Sequence, residues 1–203
     1  MDITQLILDD HHEQRRLFAV LEQIDRTDTA ALSAVWTRLA AFLEVHAEAE
    51  EQLFYPELLR VGKGVDSVSP EAETVDAIDD HNDIRDAVAA VAGHEVGSDG
   101  WYDAVARANE ANSDHMAEEE REGLTDFRRH AALQLRHDLA VAFAAFEATH
   151  IAGVTPVDKD PEGYVREVKE EIAVSNVAAS NDQGDDGAAK SDGSLVIGSL
   201  NRQ

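Results

Sequence analysis

His46-Ala47-Glu48-Ala49-Glu50 lies in the middle of a long helical pattern, and a second stretch, His115-Met116-Ala117-Glu118-Glu119, repeats its plan. Residues four apart on an α-helix lie on one face, one turn apart. Each stretch therefore aims an imidazole and a carboxylate in one direction. Two such helices facing each other bring two histidines and two carboxylates into one small volume. Burying that set without a cation is expensive. The motif pair points to a helical bundle organised around a metal site.

The surrounding chain supports helices. Ile3, Ile7, Gln14, Phe18 and Leu21 share a face of a helix expected over 3–25. With Ile7 at zero and about 100° per residue, His11 falls about 40° away and His12 about 140° away, so His11 turns to the core and His12 to solvent. Thr27, Asp28 and Thr29 offer an N-cap for a second helix over 29–59, which Pro56 bends or ends. A third helix is expected over 70–93 with His81 inward, and a fourth from 100 to 120 with Trp101, Val105, Ala108, His115 and Glu119 on one face. A fifth, over 127–150, carries Leu133, Leu139, Phe143 and Phe146. The fold class is all-α: an up-down-up-down four-helix bundle with an additional C-terminal helix and a disordered tail.

An internal repeat organises the bundle. Asp10-His11-His12-Glu13-Gln14-Arg15 matches Asp80-His81-Asn82-Asp83-Ile84-Arg85, and His46-x3-Glu50-Glu51 matches His115-x3-Glu119-Glu120. The second half follows the first at about 70 residues, as two helical hairpins of one plan would. Four helices thus supply His11, His46, His81 and His115, all on core faces, joined by Glu50 and Glu119. These six are the candidate metal ligands. Mixed imidazole and carboxylate donors suit iron, manganese, zinc or copper better than calcium or magnesium. Six side chains exceed what one zinc uses, whereas two metals bridged by Glu50 and Glu119 would use them all, with positions left for water or a small diatomic ligand.

Composition narrows the field. The net charge of −25 disfavours nucleic acid and anionic membrane as partners. The absence of cysteine excludes disulfides, thiolate zinc sites and iron–sulfur clusters. The N-terminal stretch lacks a basic segment and the longest apolar run, Leu139 to Phe146, is too short to span a bilayer, so a cytoplasmic protein is expected. Domains are expected at 1–152 for the metal-binding bundle, 153–175 for a linker with a short helix over Tyr164–Val174, and 176–203 for a disordered acidic tail. Within the tail, Ser194-Leu-Val-Ile-Gly-Ser-Leu200 is an apolar patch that reads as a floppy end, leaving a protein partner through the tail unsupported.

The ordered set Asp10-His11 with Arg15 and Leu17-Phe18, His46-x3-Glu50-Glu51-x2-Phe54-Tyr55-Pro56, Asp80-His81, and His115-x3-Glu119-Glu120 resembles the hemerythrin-like HHE cation-binding family over residues 3–150. The resemblance implies a non-haem di-iron site, carboxylate- and oxo- or hydroxo-bridged, with manganese or zinc as alternatives. It implies binding, sensing or processing of oxygen, peroxide or nitric oxide, with catalase-like or peroxidase-like turnover as the enzymatic version. A non-catalytic metal or redox sensor, or an iron store, is the alternative. Oxygen-carrying hemerythrins have a further histidine where this chain has Arg85, and an Asp five residues after the last histidine where it has Glu120. Glu119, by symmetry with Glu50, is taken as the ligand. Arg15 and Arg85 read equally as clamps on a bridging carboxylate or as boundary arginines with solvated heads. Glu13, Glu48, Glu51 and Glu120 read as surface acids, Glu147 with His150 as a chance Glu-x2-His, and Tyr55 as core packing.

Overall fold

The computed structural model describes residues 1–182. Eight α-helices follow in order: α1 Ile3–Gln23, α2 Thr29–Ala49, α3 Tyr55–Val61, α4 Pro70–Val91, α5 Asp99–Arg121, α6 Gly123–His130, α7 Leu133–Thr149 and α8 Pro161–Asp182. A π-helical turn, Glu50–Phe54, joins α2 to α3. The helix starts are chemically marked. Asp2, Asp28, Ser69 and Ser98 each accept a backbone N–H of the first turn through a side-chain oxygen, and Pro70 occupies a first position that needs no donor.

Two apolar clusters hold the bundle. One contains Ile3, Ile7, Phe54, Leu58, Ile78, Leu124 and Phe127; the other contains Leu17, Phe18, Leu21, Leu32, Leu39, Leu43, Val91, Trp101 and Val105. Along α1 the chain passes from the first cluster to the second. Along α2 it returns, α4 goes up again and α5 comes back, so the four helices alternate in direction as the sequence implies. Between the clusters each helix crosses one polar layer: His11 and Gln14, His46 and Glu50, His81 and Arg85, Asn112, His115 and Glu119. All of these are buried. The fifth helix, α7, adds Ala140 and Phe143 to the first cluster.

Two sequence expectations need correction. The second helix, expected as one piece over 29–59, changes its winding at Glu50–Phe54. Pro56 has no N–H for the carbonyl four residues back, and its ring crowds that carbonyl. The backbone widens just upstream, where the Tyr55 N–H reaches Glu50 O, five residues back. The stretch 123–150 is also two helices, with the chain extended at Ala131 and Ala132. Gly123 begins α6 where its N–H meets Glu73 Oε1 at 3.1 Å; a Cβ there would lie 2.8 Å from that oxygen.

Met1–Lys169 form one compact unit, and a second begins at Glu170. The helix expected over Tyr164–Val174 is longer, running through Asp182, so residues 176–182 are helical where tail was expected. The remainder of the expected tail, with the apolar patch Ser194–Leu200, lies outside the described residues. Among the described residues no helix is long and apolar enough to cross a membrane.

Glu73 makes a pH prediction. Burial first, then the charges of Glu119 and Glu122, push its carboxyl from 4.5 up to about 9. The folded chain then holds a proton over that window which the unfolded chain has released, so this group lowers stability as pH rises from about 5 towards 9. In thermal melts of metal-free protein, Glu73→Gln should flatten that decline and leave stability near pH 5 unchanged.

Candidate metal centre

The histidines share one orientation. Their Nε2 atoms point into the polar layer. His46 Nε2 lies 3.0 Å from Glu50 Oε1, His81 Nε2 lies 3.3 Å from Glu50 Oε2, and His11 Nε2 lies 3.4 Å from Glu119 Oε2. His81 Nε2 and His115 Nε2 face each other at 3.1 Å. All six residues picked out by periodicity are therefore brought into one layer. Ligand atoms of His11, His46 and Glu50 lie within 4.8 Å of one another, and so do those of Glu50, His81 and His115. Glu50 belongs to both groups, one oxygen turned to each hairpin.

The Nδ1 atoms point outward, each to a carboxylate. His46 Nδ1 faces Asp10 Oδ2 at 3.5 Å, His81 Nδ1 donates to Glu51 Oε1 at 2.8 Å, His115 Nδ1 faces Asp80 Oδ2 at 3.4 Å, and His11 Nδ1 donates to Glu120 Oε1 at 2.9 Å. The pattern is a closed ring. α1 orients the histidine of α2, the π turn that of α4, α4 that of α5, and α5 that of α1. The aspartates act within a hairpin and the glutamates between hairpins. A carboxylate on Nδ1 keeps the proton there and leaves the Nε2 lone pair free for a cation.

The arginines serve this ring. Arg85 donates to Glu51 Oε1 at 2.8 Å and to Glu44 Oε1 at 2.9 Å, and Arg15 reaches Glu120 Oε1 at 2.8 Å. They do clamp carboxylates, but those that orient histidines rather than Glu50 or Glu119. Glu51, read from sequence as a surface acid, is 2% exposed. The π turn explains why. Glu50 and Glu51 sit four and five residues after His46, and widened winding brings the fifth residue towards the face that α-geometry reserves for the fourth. Glu48 is also partly buried, and Lys159 Nζ reaches it at 3.1 Å. Lys159 Nζ bonds Glu51 too, Tyr164 donates its hydroxyl to Glu51 O, and Asn82 bonds the Lys159 backbone in both directions. Tyr55, read as core packing, donates its hydroxyl to Glu119 Oε1 at 3.0 Å. Its counterpart in the repeat is Leu124, so the symmetry breaks there. His12, His94, His130 and His137 are exposed, as expected.

The charges are strongly coupled. Burial works to lower the pKa of His46, but Glu50 and Asp10 overcome it and hold the imidazole well above its usual range. Burial likewise opposes His81, yet Glu50 and Glu51 raise it to about 9. Burial favours a neutral Glu51, but His81, Arg85 and Lys159 bring it down to about 2. His11 and Arg15 bring Glu120 to about 2 against its burial. Without a cation, protons on the imidazoles balance the carboxylates. Even so, His11 Nε2, His46 Nε2, both Glu50 oxygens and Glu119 Oε2 are buried and lack a hydrogen-bond partner. Unpartnered nitrogens and carboxylate oxygens converging in this way fit a cation, taken up as the imidazole protons leave, better than a dry core.

Comparison with family models gives a match to the hemerythrin HHE cation binding domain over residues 2–125. No curated protein and no solved structure matches the chain. The matched span ends after Glu119 and Glu120, so α7, Lys159 and Tyr164 lie beyond it. Removing an orienting carboxylate should weaken cation binding about 10–100-fold. Glu51→Gln is expected to do so in chelator competition, Lys159→Ala to do so less, and Arg60→Ala, which breaks an exposed ion pair with Glu57, to have no effect.

Proposed function

The chain belongs to the hemerythrin HHE cation-binding family, and from that premise we propose that His11, His46, Glu50, His81, His115 and Glu119 hold a non-haem di-iron centre that binds or processes oxygen, peroxide or nitric oxide. The observation that carries this reading is the shared inward orientation of four histidine Nε2 atoms around two buried carboxylates with unpartnered oxygens. In this reading Glu50 would help hold both metals, because its two oxygens face histidines of different hairpins. Glu119 has one oxygen committed to Tyr55, and its other oxygen would hold metal together with His11. Iron in such a site supplies the two oxidation states that oxygen, peroxide or nitric oxide chemistry needs. Imidazole and carboxylate donors accommodate iron readily, with manganese and zinc as competitors.

The residues around the donors have their own tasks. The carboxylate ring keeps each imidazole in the tautomer that offers Nε2. Arg85, placed where an oxygen carrier has another histidine, holds Glu51 and supplies no lone pair to the layer. At that place the chain would supply one ligand fewer than an oxygen carrier does. The Tyr55 hydroxyl donates to Glu119 Oε1, and burial followed by the charges of Glu119 and Glu50 raises its pKa well above the usual range. It therefore stays a hydrogen-bond donor at every physiological pH.

A second reading, a non-catalytic sensor or iron store, is favoured by one observation. Lys159 and Tyr164, outside the family-matched span, bond the same Glu51 that orients His81. A change at the metal would reach Lys159 through the Glu51 carboxylate and Tyr164 of α8 through the Glu51 backbone carbonyl.

Metal analysis of protein from iron-supplemented cells should give about two irons per chain, the number for which the six donors suffice. Visible spectra should change on adding azide, nitric oxide or peroxide. His46→Ala with His115→Ala should abolish metal content. Wild-type protein without bound transition metal would refute the proposal. Bound iron without peroxide consumption would favour the sensor or store.

A further inference from the structure

The pseudo-twofold repeat shows what is surplus. In the second half, Asp80 is the one carboxylate among the described residues in ion-pair range of His115 Nδ1, and its side chain is 36% exposed. In the first half, Asp10 faces His46 Nδ1 in the same way, but α7 brings a further acid, Glu147, to the same place. One ligand atom each of Asp10, His46 and Glu147 lie within 4.8 Å of one another. Asp10 Oδ2, Glu147 Oε1 and His46 Nδ1 are all buried without a hydrogen-bond partner, and His46 is 4% exposed. Orienting His46 does not require Glu147, since His115 is oriented without an equivalent. Two carboxylates meeting out of water lose hydration and repel each other. A cation between them would relieve both costs.

The place is also reachable. Glu147 lines a half-open cavity of about 680 Å³ between α2 and α7, whose other walls include Phe42, Val45, Ile151, Glu13 and Arg38. Glu13 is engaged by Arg16 and Arg38. Glu147 is the acid of this cavity that also belongs to the Asp10 and His46 group. His46 stands between two regions, its Nδ1 towards Asp10 and its Nε2 towards Glu50.

We propose that Asp10 and Glu147, with His46 on their inner side, form an outer site for a divalent first-row cation, through which metal passes from the cavity to the buried donors. The loading role rests on the reading that the buried donors hold metal; binding at the outer site does not. Two carboxylates and water suit Mn²⁺, Fe²⁺ or Co²⁺ at modest affinity. A cation on Nε2 of His46 would repel another held by Asp10 and Glu147 across the imidazole ring. Loading of the inner set thus weakens the outer one, as a transfer site requires.

The test uses the full chain, stripped of metal, and Glu147→Gln, with Glu147→Asp as a second variant that keeps the charge on a shorter side chain. Wild-type protein in excess Mn²⁺ should bind one weak extra ion per chain, counted from the free Mn²⁺ signal in electron paramagnetic resonance, and Glu147→Gln should lose it. Stopped-flow uptake of Co²⁺ into the inner set should slow on the order of tenfold in Glu147→Gln, with unchanged final content, and recover in part in Glu147→Asp. Equal Mn²⁺ counts in wild type and Glu147→Gln, or equal uptake rates, would overturn the proposal. Should wild-type protein show no inner uptake, the di-iron reading fails. The transfer role then falls with it, and the Mn²⁺ count alone decides whether the outer site exists.

Discussion

Everything in this bundle depends on orienting four buried imidazoles. A histidine has two chemically similar nitrogens, and a buried one points its lone pair wherever its other nitrogen allows. Here each Nδ1 meets a carboxylate carried by a neighbouring segment, so each Nε2 is left facing the layer between two apolar clusters. The arrangement is closed, since the last helix of the ring holds the histidine of the first. Its cost is several buried charges, and its yield is a set of nitrogens already aimed to receive a cation once their protons leave.

The ring is not uniform. The glutamates that act between hairpins make hydrogen bonds of 2.8 and 2.9 Å, whereas the aspartates that act within hairpins stand off at 3.4 and 3.5 Å. Glu51 is the most heavily supported member, with Arg85, Lys159 and His81 all on its carboxylate. Glu120 has only Arg15 beside His11 and is partly exposed. The two halves of an almost repeated sequence have thus become unequal. One is buttressed by the stretch before α8 and the other lies near solvent. Tyr55 and Glu147 break the symmetry again, from the π-to-α3 junction and from α7.

Much of the centre was legible without coordinates. Helical spacing alone puts His46 with Glu50 and His115 with Glu119 on one face, and the repeat adds His11 and His81. That works because α-helical winding is regular and a buried face tolerates few polar residues. Where it failed, the reasons are physical. Glu51 was read as a surface acid because α-periodicity turns the fifth residue away, and Pro56 made the local winding something else. Asp10 and Asp80 sat in the quoted repeat, yet a residue beside a ligand gives no hint that it serves the next helix. Asn112, four residues after Ala108 and three before His115 on the same face, was within reach of the same periodicity and bonds Gln14 at 3.0 Å.

By itself, then, the sequence determined the all-α class, the two-hairpin plan, the direction in which each inward histidine faces and the family to which the donors conform, because all of these follow from local winding and from patterns within a few turns. Only the tertiary structure decided which carboxylate holds which imidazole, that Lys159 and Tyr164 reach back to Glu51, and that Glu147 meets Asp10 beside His46. Those pairings join residues on separate helices, and their partners are selected by how the helices pack and by the one turn where the winding changes.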